Sequence, residues 1–185
     1  MFDYCRRKPI NRDPGNSIGV GLLLKNSKTN VMKSGTYTQF YIQLIFAVKY
    51  REAIIHPKFQ DEVYKYMSGT INSMGHKALA VNGMPDHIHV LIGLHPTMAI
   101  SDLAKELKRS STNFINQKNW MPGKFQWQTG YGGFSYSRSQ IDYVINYIKN
   151  QKAHHQKKTF KEEYLEFLRD FEVDYNPDFL FDFFK

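Results

Sequence analysis

The chain holds a single cysteine, Cys5, among its 185 residues. No intrachain disulfide can form and no cysteine-rich zinc site can be built, so a reducing, cytoplasmic setting is expected. No apolar run approaches the ~20 residues that span a bilayer, and no membrane association is expected. A Walker-type glycine loop is missing, so no nucleotide cofactor is expected either. Internal repeats and low-complexity tracts are also lacking, and the length suits one domain with terminal additions. Acids are scarce over residues 32–158, where seven face sixteen Lys and Arg, a balance of +9. Over residues 159–185 the sign reverses, with three basic residues against eight acids. A basic middle suits a polyanion such as nucleic acid, and equally an ordinary solvated surface.

Residues 1–34, with turn-rich "NRDPGNS" and "KNSKTN", show no sustained periodicity and are expected to be a poorly ordered extension. Met32 stands just before the first patterned segment and could be the true start. From residue 38 the pattern becomes regular. "TQFYIQLIFAVKYR" alternates, with Phe40, Ile42, Leu44, Phe46 and Val48 on one face of a long strand. A helix is expected from Pro57, with Phe59, Val63, Tyr66, Met67, Ile71 and Met74 on its inner side and Gly75 at its end. "ALAVN" and "HIHVLIGL" read as antiparallel strands joined by the turn "GMPD". A second helix is expected to be capped by Ser101, with Leu103, Leu107, Ser110 and Phe114 facing inward. "KFQWQTGYGGFSYS" (124–137) reads as a strand running into a glycine-rich bend. A third helix is expected from Ser139 to about His154, and a fourth over 160–171. The order β-α-β-β-α-β is an α+β, ferredoxin-like split βαβ plan: an antiparallel sheet with helices on one face, followed by a C-terminal tyrosine-bearing helix.

In "MPDHIHVLIGL" the period of two puts Ile88, Val90, Ile92 and Leu94 on one face and His87, His89 and Leu91 on the other. His87 and His89 are expected to look out from the sheet's open face. Two strand histidines two residues apart can share one metal ion, or can simply be solvated or hydrogen-bonded. On the third helix Ile141, Val144, Ile145 and Ile148 form the buried stripe. Tyr143, Tyr147, Gln151 and His154 form a second stripe that projects a phenol and an amide together, or else snorkels two boundary tyrosines. A two-histidine iron site of the oxygenase type would need a carboxylate. No Asp or Glu is expected at the helix position facing the site, and Asp86 is expected to point to the opposite face.

The basic "KELKRSSTNFINQK" places Lys105, Lys108 and Arg109 on the outer side of the second helix. Ser110, Ser111 and Asn113 are neutral donors to phosphate, and "HHQKK" (154–158) is a further phosphate-binding candidate. Tyr41, Trp127, Tyr131 and Phe134 could stack on bases, although core packing suits at least half of them.

Taken in order and at their separations, "MPDHIHVLI", "WQTGYGGFSYS" and "YVINYIKNQKAHH" resemble the single-tyrosine HUH transposases. These are the small IS200-like insertion-sequence transposases, related to the REP-associated tyrosine transposases, and the resemblance runs from about Thr36 to His155. It implies an HUH transposase domain over 35–158 with an acidic, aromatic C-terminal helix and tail over 159–185. It implies His87 and His89 as ligands of Mg²⁺ or Mn²⁺, Gln151 as the third ligand and Tyr147 as the nucleophile. It further implies a homodimer that recognises single-stranded DNA hairpins at element ends and cleaves beside them, leaving a 5′-phosphotyrosine. Tyr143 lacks the Asn-Gln pair that follows Tyr147 and is the expected bystander. Other readings are a HUH relaxase or replication initiator, a domesticated or inactive hairpin-DNA-binding protein, and an RNA binder with the same fold plan.

Overall fold

The computed structural model describes residues 37–49 and 55–183, all within the unit Lys33–Lys185. The expected N-terminal extension lies outside the described residues. The elements run β1 (Phe40–Ala47), α1 (Pro57–Ser73), β2 (Lys77–Met84), β3 (His87–Leu94), α2 (Ile100–Lys118) and β4 (Gly132–Tyr136). They continue with α3 (Ile141–Lys149), α4 (Gln151–His154) and α5 (Phe160–Asp170). The strands form one antiparallel sheet in the order β2-β3-β1-β4, so β3 and β1 are central, as the split βαβ plan requires.

The period-two pattern divides the sheet as expected. Leu44, Phe46, Val48, Ile88, Val90 and Ile92 pack against Val63, Met67 and Ile71 of α1 and Leu103 and Leu107 of α2. The opposite face is not open. Leu91 and Ala80 meet Ile141, Val144 and Ile148 of α3, while Ile45, Ala47 and Phe134 are covered by Phe160, Tyr164 and Leu168 of α5 and by Phe181. Burying each large apolar side chain there is worth about 1.5–3 kcal/mol, enough to hold a short helix onto a sheet.

Several boundaries differ from expectation, each for a local reason. Helix α2 begins at Ile100 with Ala99 at its N-cap, so Ser101 lies inside the first turn rather than capping it. Trp127 makes only an isolated bridge to Val48, and β4 starts at Gly132, with Gly132 and Gly133 as its first two residues, instead of before the glycines. The third helix stops at Asn150. The Asn82 side chain on β2 donates to the carbonyls of Ile148 and Lys149, 2.8 and 3.0 Å away, taking acceptors that a continuing helix would use. The chain resumes as the single turn α4, which carries Gln151.

The β2–β3 hairpin turns through Pro85 and Asp86, and Asp86 O accepts from Val48 N at 2.8 Å. At Gly83 a Cβ atom would lie 2.2 Å from His87 O and 2.7 Å from Ile88 Cα, both backbone atoms with nowhere to go. Gly83→Ala is therefore expected to cost about 1–3 kcal/mol, as overpacking does, and to lower the denaturant midpoint in equilibrium unfolding.

Candidate functional site

His87 and His89 lie side by side on central strand β3, opposite Ala47 and Ile45 of β1 and Met84 and Asn82 of β2. Strand pairing on both sides fixes their Cα positions. Both imidazoles are buried, with ring centroids 5.2 Å apart. The His87 ring stacks on Phe160 at 3.9 Å, and its Nδ1 lies 2.8 Å from Asp86 Oδ1. Asp86 thus turns toward the site, because the tight hairpin folds its side chain back along His87. His89 Nδ1 lies 2.8 Å from the Gln43 side-chain amide, whose oxygen accepts from Tyr136 Oη at 2.8 Å.

The unexpected member is Glu163. No carboxylate is expected at the site from the sequence pattern, yet α5 inserts one between the histidines. Glu163 Oε2 lies 3.4 Å from His89 Nε2, 3.7 Å from His87 Nε2 and 3.3 Å from His155 Nε2. Its other oxygen, Oε1, accepts from the Tyr147 hydroxyl and from Gln151 Nε2 at 3.1 Å. Helix α5 is anchored for this by a capping box, in which Thr159 and Glu162 satisfy each other's backbone amides. A signal for Glu163 exists in the sequence. Phe160, Tyr164, Phe167, Leu168 and Phe171 form an apolar stripe, and Glu163 occupies one of its inward positions, three residues after Phe160. A charge on a buried stripe marks a paired or functional group.

The helix residues singled out from sequence do come together here. Tyr147, half-buried, packs edge-on to His89 at 6.0 Å between ring centroids. Gln151 is fully buried; its Nε2 donates to Glu163 and its Oε1 accepts from His155 Nε2 at 2.9 Å. Tyr143 is 67% exposed and lines the groove beside Tyr147. His155 Nδ1 donates to Lys158 O at 2.9 Å.

Burial opposes ionisation of Glu163, but His89, His155 and His87 around it hold its carboxyl well below the usual range. Burial pushes His87 down, favouring the neutral imidazole. Burial, then the charge of Glu163, pushes the Tyr147 phenol well above its ordinary value, so it stays a proton donor. His155 moves up: burial resists, and its contact with Glu163 prevails. His87 Nε2, His89 Nε2 and Glu163 Oε2 are all buried without a hydrogen-bond partner. One ligand atom from each of His87, His89, His155 and Glu163 lies within 4.8 Å of the others. Unpartnered polar atoms of these residue types, buried this close together, fit a divalent cation.

The residues expected to contact DNA divide sharply. Lys105 and Asn113 are exposed. Arg109 is exposed but grips Glu106 two-pronged, at 2.7 and 3.0 Å. Ser110 is half-buried and bonds Leu107 O. Ser111 is buried, where its hydroxyl bonds Leu107 O and accepts from Trp127 Nε1 at 2.9 Å, so it cannot reach phosphate from this position. Lys108 donates to Gln128 O at 2.5 Å and Gly130 O at 2.7 Å, pinning the segment before β4 rather than facing solvent. Of the stacking candidates, Trp127 and Phe134 are core residues and Tyr131 is exposed. A groove of about 550 Å³ runs beside Tyr147, lined by Tyr143, Asn146, Asn150, His154, Lys157 and Lys158.

The fold and this constellation define a mixed α/β protein of the IS200-like transposase type, and the match to the family described as "Transposase IS200 like" covers residues 36–151. The chain belongs to that family, and is on that ground a DNA transposase. It is similar to the ISDra2 transposase TnpA of Deinococcus radiodurans, 27% identical over 124 residues covering 63% of this chain and 87% of the relative. Among solved structures, a crystal structure from Deinococcus radiodurans R1 assigned as a transposase gives a TM-score of 0.52 at 25% identity, covering 65% of this chain and 96% of its own. A REP-associated tyrosine transposase bound to a REP hairpin gives 0.49 at 12% identity, covering 67% of this chain and 74% of its own, too distant to bear on what this chain binds.

The different situations of two neighbouring lysines can be measured. Lys108→Ala leaves two carbonyls without their donor and is expected to cost about 1.5 kcal/mol in thermal or denaturant unfolding. Lys105→Ala is expected to stay within about 0.5 kcal/mol of wild type.

Proposed function

We propose that the chain nicks and rejoins single-stranded DNA at hairpin-marked ends, with Tyr147 as nucleophile and a divalent ion held at His87 and His89. The observation that carries this reading is the meeting of the Tyr147 hydroxyl and both histidine Nε2 atoms around one carboxylate, Glu163. A phenol oxygen and a cation-binding pair stand where a single phosphodiester could touch both. Asp86 and Gln43 fix the two rings, and Phe160 stacks on His87, so the ligand atoms are held before any ion arrives. The divalent ion, Mg²⁺ or Mn²⁺, would polarise a non-bridging phosphate oxygen and neutralise charge that builds during attack.

The chain's own residues account for the rest of the step. The Tyr147 oxygen forms a bond to phosphorus, the 3′-oxygen of the broken strand leaves and takes up a proton, and the phenol proton is released. The 5′-phosphate then stays on Tyr147 as an ester, so a free 3′-OH can reverse the step without ATP. The groove beside Tyr147 offers Lys157 and Lys158 to phosphate and Asn146 and Asn150 as neutral donors, and is the proposed path of the scissile strand. Lys105, Arg109 and Asn113 on α2 are proposed as contacts to the hairpin stem. Tyr147 meets histidines of its own chain, so one chain carries a whole site. Two element ends then call for two copies, and a symmetric homodimer is proposed.

A single-stranded hairpin oligonucleotide with Mg²⁺ or Mn²⁺ is expected to yield a covalent adduct, its 5′-phosphate joined to Tyr147, with a free 3′-OH on the other fragment. Tyr147→Phe should abolish the adduct and keep binding, while Tyr143→Phe remains active. Peptide mass mapping of the adduct to Tyr143, or full cleavage in excess EDTA, would overturn the assignment. Sedimentation of the protein with a two-ended substrate is expected to show two copies, and an active monomer would remove the dimer.

A further inference from the structure

The ligand set of this centre extends beyond the two histidines, provided that the divalent ion proposed at His87 and His89 does bind there. Among the described residues, His87 Nε2, His89 Nε2 and Glu163 Oε2 are buried, close together and without a hydrogen-bond partner, and His154 Nε2, 3.6 Å from Oε1 on the other side of the carboxylate, is a fourth such atom. Glu163 Oε2 is 3.4 Å from His89 Nε2 and 3.7 Å from His87 Nε2. Two atoms each ~2.1 Å from one ion stand roughly 3.0–3.4 Å apart at octahedral to tetrahedral angles, so a small inward movement completes the set.

Two of the neighbouring polar residues are already committed. Gln151 gives its Nε2 hydrogen to Glu163 and its Oε1 to His155. Both nitrogens of His155 face acceptors, Lys158 O and Gln151 Oε1, each at 2.9 Å, so both donate and neither has a lone pair to offer. His155 and Gln151 therefore hold the carboxylate in place. Gln43 can serve His89 in the same manner: a half-turn of its amide lets the oxygen accept from His89 Nδ1–H, leaving the Nε2 lone pair toward Glu163.

We infer that Glu163 of α5 is the third protein ligand of a two-histidine, one-carboxylate centre, with Gln151 and His155 as its positioning residues. The ligand then comes from outside the stretch that matches the family, residues 36–151. Two imidazoles and one carboxylate suit Mn²⁺, Co²⁺ or Zn²⁺ better than Mg²⁺. The same carboxylate offers Oε2 to the ion and Oε1 to the Tyr147 hydroxyl, which ties the nucleophile's position to the centre.

The test is metal binding by the full chain, read without turnover. Co²⁺ is titrated while its visible ligand-field absorption is followed, with calorimetry of Mn²⁺ in parallel, on wild type, His87→Ala, Glu163→Ala, Glu163→Gln and Gln151→Ala. Wild type is expected to bind one ion. His87→Ala and both Glu163 variants should lose at least about tenfold in affinity with an altered Co²⁺ spectrum, whereas Gln151→Ala should keep the wild-type spectrum with a smaller loss. Should Glu163→Ala fail to fold by circular dichroism, Glu163→Gln keeps the side chain's shape and decides the matter. If the Glu163 variants bind as wild type while His87→Ala does not, Glu163 is no ligand and the two-histidine reading stands alone. If wild type binds no ion, both fall. Unchanged metal binding with faster hairpin cleavage in Glu163→Gln would make α5 a plug over the site and overturn the inference.

Discussion

Burying a carboxylate costs several kcal/mol unless hydrogen bonds and opposite charge replace the water it gives up. Glu163 meets that demand with groups from four places in the chain: Tyr147 on α3, Gln151 on α4, His155 just beyond α4, and His87 and His89 on β3. The C-terminal helix cannot leave the sheet without exposing Phe160, Tyr164 and Leu168, and cannot stay without a partner for Glu163. Apolar burial brings the helix down, and the polar cluster fixes where along the sheet it lands. The position of the Tyr147 hydroxyl, the orientation of Gln151 and the placement of α5 on the second sheet face all depend on that one side chain.

Periodicity makes much of this legible. The alternation in "HIHVLIGL" and "TQFYIQLIFAVKYR" assigns Leu44, Phe46, Val48, Ile88, Val90 and Ile92 to one face, where the α1–α2 core forms. The four-residue spacing of Tyr147 and Gln151 survives the break at Asn150, since α4 resumes the same turn, and both reach Glu163. Less legible is what depends on partners distant in sequence. A period of 3.6 residues says that α5 is amphipathic but not which surface its apolar stripe meets, so periodicity alone leaves the second sheet face open. Asn82 ends α3 from 66 residues away, a contact that no local window contains. Ser111 and Lys108 read as surface donors because their residue types usually are, yet Trp127 and the carbonyls before β4 draw them inward.

The arrangement also assigns different tasks to rigid and adjustable parts. The histidines sit on the two-sided, hydrogen-bonded strand β3, whose hairpin is sealed by the close approach at Gly83. Tyr147 and Gln151 sit on either side of a helix break, joined to the sheet mainly through side chains. Groups carried on a paired strand are held with precision. On the proposed function, such a site would hold its histidine nitrogens fixed while the phenol oxygen adjusts to a strand of DNA.

Charge sets the last constraint. With Glu163 ionised, the His155 imidazolium beside Oε2 balances the carboxylate on that side, while Oε1 meets the Tyr147 hydroxyl, the side from which a phosphodiester would approach. The groove outside is basic, through Lys157 and Lys158, but Lys158 is paired with Glu166 and both lie on the rim. Rim lysines attract the strand without cancelling a carboxylate inside. A divalent cation beside Glu163 would make the local charge positive and would then favour a phosphodiester there. Occupancy by a cation and occupancy by phosphate would then be coupled through a shared charge balance, each favouring the other by the same factor. On the function proposed above, the acidic C-terminal segment, which by net charge alone looks unsuited to a DNA-binding protein, would make the centre's affinity for DNA depend on its cation.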